Sequence, residues 1–67
     1  MNFAQKAKEW RQSQGYTQWA LANKLDIYPQ TISGVENGKI CPGHVVIKYL
    51  ENGMGVWLYG NQDSRDR

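Results

Sequence analysis

Gln30, Ser33, Gly34 and Asn37 fall on one side of a helical projection that starts at Pro29, with Tyr28 and Pro29 at its leading end. Small or amide-bearing residues with almost no charge suit insertion between the two phosphate walls of a DNA groove. A Gln amide can pair in two places with an adenine edge, and a Ser hydroxyl donates or accepts at several bases. The apolar surface of Pro29 or Thr31 can meet a thymine methyl. Each good bidentate contact contributes roughly 1–3 kcal/mol of discrimination between bases. Tyr28, Pro29, Gln30, Ser33 and Gly34 are therefore the candidate base-reading residues.

Phosphate chemistry flanks this face. Thr17 and Gln18 open the preceding helix, where free backbone N–H groups and the helix dipole favour an anion. A phosphate is the anion that a groove-entering segment meets. Thr17 has a second task there as the helix N-cap. Asn37, Gly38 and Lys39 follow the candidate reading helix as a turn with free donors and one cation, a second phosphate clamp. His44 stands where it either reaches a phosphate or faces solvent. Other chemistry is poorly supplied. There is no paired-carboxylate site, no nucleophile with a base and an orienting group, and no Gly-rich phosphate loop. Cys41 and His44, at i, i+3, lack a third group and cannot close a four-ligand zinc site. No catalytic residue, metal, cofactor or small-molecule substrate is expected. Cys41, alone in the chain, excludes an intrachain disulfide and reads as a reduced, partly buried thiol.

The elements that hold these residues are short helices. Asn2, with Gln5 three residues on, is an N-cap with a capping-box partner for a helix whose face carries Phe3, Ala7 and Trp10. Gly15 stops it. Thr17 caps a second helix, Gln18 to Leu25, and Pro29 begins a third that runs to about Glu36, where Asn37-Gly38 breaks it. Leu21, Leu25, Ile27, Ile32 and Val35, with small Ala22, share one core across the turn Asp26-Ile27-Tyr28. That is the spacing of two short helices crossing steeply. Pro42-Gly43 opens a fourth helix over Val45, Val46, Tyr49 and Leu50, with Ile47 on its flank. Val45-Val46-Ile47 is also strand-like, but the bracketing by Pro42 and Asn52-Gly53 favours helix. Met54 to Tyr59 forms a short last element. The expected fold is all-α: a compact five-helix domain over residues 1–60, then a polar, flexible tail over 61–67.

With 67 residues the chain makes one domain at most. Below roughly 70–80 residues a core is thin, so tidy helix packing and dimerisation must supply stability. Eight basic and six acidic side chains give a net charge of +2, too weak an excess to argue for nucleic acid by itself. Lys6, Lys8, Arg11, Lys24 and Lys39 do outnumber the acids of the first forty residues. No stretch approaches the roughly 20 apolar residues of a membrane span, and the N-terminus lacks a signal-peptide core. A soluble, cytoplasmic protein without a membrane partner is expected.

The run from Arg11 through Gly38, with Gly15-Tyr16-Thr17-Gln18, Leu21-Ala22, Thr31-Ile32-Ser33 and Glu36-Asn37-Gly38, resembles the helix-turn-helix of the lambdoid phage repressor and Cro family. This family is also called the xenobiotic-response-element type of bacterial regulator. The resemblance extends through Pro42 and Trp57-Leu58-Tyr59-Gly60, covering about residues 3 to 60. It implies a five-helix domain that binds a double-stranded, pseudo-palindromic DNA operator as a homodimer. Gln18 would contact a phosphate and brace Gln30, and Pro29, Gln30, Ser33 and Gly34 match the base-reading positions. Arg11 and Glu36 match a partly buried structural ion pair joining helix one to the end of helix three. Asp26 stands where the family's turn usually has Gly, and Asp tolerates a left-handed backbone better than most residues. Pro29 and Gly34 replace longer polar side chains, which leaves more of the specificity to DNA shape or to Tyr28.

Trp10, Trp19 and Trp57, aromatics at helical spacing, are expected in the core. The last element has more apolar residues than a thin core hides, so Met54, Val56, Trp57, Leu58 and Tyr59 are expected to form the two-fold dimer contact. The sequence thus points to a transcriptional repressor of Cro type. The alternative is an antitoxin-like DNA-binding protein whose main task is to hold a protein partner, because fold does not fix function. The chain leaves little length for a separate toxin-wrapping arm.

Overall fold

In the computed structural model the backbone is described for residues 2–65 and side chains for residues 2–60. Helix α1, Phe3–Ser13, begins where Asn2 Oδ1 accepts from the Ala4 N–H at 2.8 Å. Gln5, expected to complete a capping box, instead donates to Glu9 one turn along. The helix ends at Gly15, whose φ of 78° only glycine adopts without penalty. Helix α2, Gln18–Leu25, is capped by Thr17 Oγ1, which accepts from Ala20 N–H at 3.0 Å. Its C-terminus closes on Asp26 at φ 60°, ψ 48°, the left-handed conformation expected there, while the Ile27 N–H reaches back to the Ala22 carbonyl at 3.0 Å.

Helix α3, Pro29–Glu36, starts with its proline in the first turn, where the missing N–H costs nothing. A left-handed Gly38 stops it, and the Lys39 N–H bonds the Gly34 carbonyl at 2.9 Å. Helix α4, Gly43–Tyr49, follows Pro42 as expected. Beyond it the structure departs from five separate helices. Residues 50–54 form a kinked turn, non-helical at Gly53, that leads directly into α5, Gly55–Arg65. Among the described residues there are thus four helical runs and no strand, the fourth with two arms. The break expected at Asn52-Gly53 is present in the backbone, with Gly53 at φ 123°, ψ −15°, and no linker separates the two arms on either side of it. The tail expected over residues 61–67 lies outside the described side chains.

The core sits where the four runs meet. Helix α1 contributes Ala7 and Trp10, α2 Leu21, Ala22 and Leu25, and α3 Ile32 and Val35. The last run adds Val45, Tyr49 and Met54. Tyr49 joins the layers, with Phe3 and Trp10 packed edge-on to it at centroid distances of 5.6 and 5.9 Å. Two placements differ from expectation. Trp19 is 72% exposed, because α2 already commits Leu21, Ala22 and Leu25 to its inner face. Met54 is fully buried rather than offered to a dimer partner. The bend at Gly53 brings the chain against Trp10, leaving a Cβ at position 53 only 3.6 Å from the indole. No helix among the described residues is long and apolar enough to cross a membrane.

One substitution should have opposite signs at two places in the last run. Gly53→Ala forces a side chain into a left-handed backbone and should lower stability by about 1–3 kcal/mol. Gly60→Ala, with open space around its Cβ, should raise it by about 0.5–1 kcal/mol. Urea denaturation of the two variants reads the difference, and equal shifts would contradict the assignment of the bend to Gly53.

Candidate nucleic-acid interface

The site is built on a buried ion pair. Arg11 Nε donates to Glu36 Oε2 at 2.6 Å and Nη2 to Oε1 at 3.2 Å. The third nitrogen, Nη1, donates to the Tyr16 carbonyl at 2.8 Å. Only 11% of the Arg11 side chain and 4% of the Glu36 side chain are exposed. Gln18 Nε2 adds a further donor to Glu36 Oε1 at 3.1 Å. The Glu36 carboxylate therefore ties together the end of α1, the start of α2 and the end of α3. A forked guanidinium suits this role because it meets both carboxylate oxygens and still has a donor for the loop. Below the pair lies Tyr49, whose hydroxyl finds no hydrogen-bond partner among the described residues. Burial, and then the Glu36 carboxylate, push its pKa well above the usual phenol value, with Arg11 opposing.

This anchoring sets the outer face of α3. Gln18, Trp19, Tyr28, Pro29, Gln30 and Ser33 line one groove of about 530 Å³ between the N-terminal turns of α2 and α3. Four of the five expected base-reading residues are thereby brought together with Gln18. Gly34 stands apart from them: a Cβ there would lie 2.9 Å from Ile40 Cδ1 and Cγ1, so its smallness serves the return of the chain after α3. Gln18 is turned onto Glu36 rather than onto Gln30. Asn37 Nδ2 donates to Ser33 Oγ at 3.4 Å on the same side of the helix. Lys39 is exposed just beyond.

His44 lies elsewhere. It lines a second groove of about 420 Å³ with Asp26, Thr31, Ile40, Pro42 and Lys48, and Tyr28 borders both grooves. Tyr28, 77% exposed, is thus the ridge between them. Trp19 was missing from the expected site residues, yet it forms a wall of the first groove. Projecting α2 from its inner residues would have found it. Cys41, expected to be partly buried, is a free and exposed thiol, set in the extended segment before α4 where no second element covers it. Of the expected dimer residues, Val56 and Tyr59 are 79% and 73% exposed, while Trp57 and Leu58 pack partly against the core.

A short α2, a left-handed turn and a crossing α3 with an outward polar face make up a helix-turn-helix. The Helix-turn-helix family profile matches residues 8–56, and the chain belongs to this family, of the Cro and repressor type. It is 38% identical over 53 residues to Endothelial differentiation-related factor 1 of Homo sapiens, covering 79% of this chain and 36% of the relative. It is 30% identical over 57 residues to Multiprotein-bridging factor 1 of Schizosaccharomyces pombe, covering 85% of this chain and 38% of that one. The chain therefore spans little more than a third of the length of these relatives. They are eukaryotic factors rather than phage repressors. No solved structure matches it with significance.

Arg11→Met leaves the Glu36 carboxylate buried without its cation and should cost about 3–5 kcal/mol. The double variant Arg11→Met/Glu36→Leu should recover most of that loss, since an apolar pair of similar volume is often neutral. Denaturant midpoints for the single and double variants provide the check. A double variant no more stable than the single one would show that the pair does not act as a unit.

Proposed function

We propose that the protein is a sequence-specific DNA-binding regulator that places α3 in the major groove of a pseudo-palindromic operator, binding as a homodimer. The observation that carries this reading is the groove in which Gln18, Tyr28, Pro29, Gln30 and Ser33 converge on the solvent side of α3, above the Arg11–Glu36 anchor. Gln30 is the base-reading amide, with Ser33 beside it and Tyr28 and Pro29 at the leading end. Thr17 and Gln18 at the start of α2, and Asn37 and Lys39 after α3, take the phosphates on either side. His44, which borders the second groove, takes a more distant phosphate. Gly34, covered by Ile40, makes no contact of its own in this reading.

The dimer contact in this reading is the outer side of α5, where Val56 and Tyr59 are exposed and Trp57 and Leu58 lie at the rim of the core. A second reading assigns the same apolar surface to a different protein. One relative bears the name Multiprotein-bridging factor 1, which favours a DNA-bound protein that holds a partner. The two readings share α3 and differ in what covers Val56 and Tyr59.

Selection of bound duplexes from a random pool is the first test, and enrichment of an inverted repeat with half-sites about one helical turn apart is expected. Failure to enrich any repeat would remove the operator reading. On the selected duplex, Gln30→Ala should relax preference at one base position. Lys39→Ala should weaken all sequences alike and lower the salt slope by about 1. Identical behaviour of the two would overturn this sorting of base and phosphate contacts. For the surface on α5, sedimentation of Val56→Glu should give a monomer where the unmodified chain is a dimer. An unmodified chain that sediments as a monomer, both free and on a single half-site, would favour the partner reading.

A further inference from the structure

The exposed indole of Trp19 is not explained by the core or by base reading. It is 72% exposed at the second position of α2, and it forms the α2 wall of the groove whose other wall is Tyr28 and whose floor holds Gln18, Gln30 and Ser33. A lone exposed indole is ordinary, but Trp19 and the 77% exposed Tyr28 line the same groove, and such a shared apolar surface marks a contact. We propose that Trp19 is a DNA-backbone contact: its ring packs on a deoxyribose while its indole N–H donates to the adjoining phosphate. The inference rests on the DNA-binding reading above and adds a residue and a contact class to it.

Three features select this occupant. Base-reading side chains project from α3, so a residue on the α2 wall meets the strand that borders the groove rather than its floor. The first N–H groups of α2 have no intrahelical partners and carry the positive end of the helix dipole; Thr17 engages only that of Ala20, leaving those of Gln18 and Trp19 for an anion. Indole is a donor without an acceptor, which matches phosphate oxygen, and its flat apolar face matches a sugar. Because the contact is uncharged, it displaces no counterion and should leave the salt dependence unchanged, unlike a lysine contact.

The test uses the full chain and the duplex recovered by selection, with a duplex of random sequence beside it. Trp19→Ala should weaken binding about tenfold on both duplexes, with the preferred sequence and the salt slope unaltered. Trp19→Phe keeps the ring and loses the donor, so it should fall between the two. Since Trp10 is buried and Trp57 half-buried, acrylamide quenching reports mainly on Trp19, and bound duplex should protect it. Circular dichroism of Trp19→Ala, a surface change, should match the unmodified chain. Full affinity in Trp19→Ala, or unprotected fluorescence in the complex, would overturn the proposal while leaving α3 as the reading helix. A loss confined to one base position would make Trp19 a base reader and equally overturn it. No binding by the unmodified chain to either duplex would bring down both readings.

Discussion

A single carboxylate organises this molecule. Glu36 closes α3, and around it converge the guanidinium of Arg11 from α1 and the amide of Gln18 from α2, while the same guanidinium holds the loop carbonyl of Tyr16. A charge withdrawn this far from water is tolerable only when its lone pairs are met by donors of fixed geometry. The planar fork of arginine supplies two of them. Since the two donating residues come from different elements, satisfying the charge fixes how those elements sit relative to α3. In a chain of 67 residues with a thin apolar core, that makes the buried charge a source of specificity more than of stability.

The apolar core and the ionic anchor divide the work. Leu21, Leu25, Ile32 and Val35 hold α2 against α3, while Tyr49 and Met54 bring the last run under α1. Because the anchor lies at one end of α3, the other end, with Tyr28 and Pro29, is left to project. The outer face of α3 is therefore anchored at its C-terminal end and open at its N-terminal end.

Much of the fold was legible in the sequence because its boundaries are set by local backbone chemistry. Asn2 and Thr17 cap helices with their own side chains, Pro29 starts one, and Gly15, Asp26 and Gly38 take the left-handed turns that end them. Residues whose fate depends on packing between elements were less legible. Trp19 reads with Trp10 as a core aromatic, yet it is in water, on the side of α2 opposite Leu21, Ala22 and Leu25. Met54 looked like surface until the bend at Gly53 turned it inward. The stop signalled by Asn52-Gly53 is there as a kink at Gly53, but how closely the next arm follows it was not legible, since that depends on Met54 finding the core. In the candidate site the residue types were readable, but the partner of Gln18 was not, because Gln30 and Glu36 are both within the reach of an amide and only the ion pair's geometry chooses between them.

The close approach of Ile40 to Gly34 bears on how such a protein diversifies. A position on the outer side of a reading helix is ordinarily free to vary, and new target preferences arise there by single changes. Here any added side chain at 34 meets Ile40 at 2.9 Å, so a longer residue is accommodated only when Ile40 shifts or becomes smaller. The atoms met are the far end of a flexible side chain that is 43% exposed, so a rotamer change at Ile40 makes room for a small residue at 34 and the position stays open to single replacements.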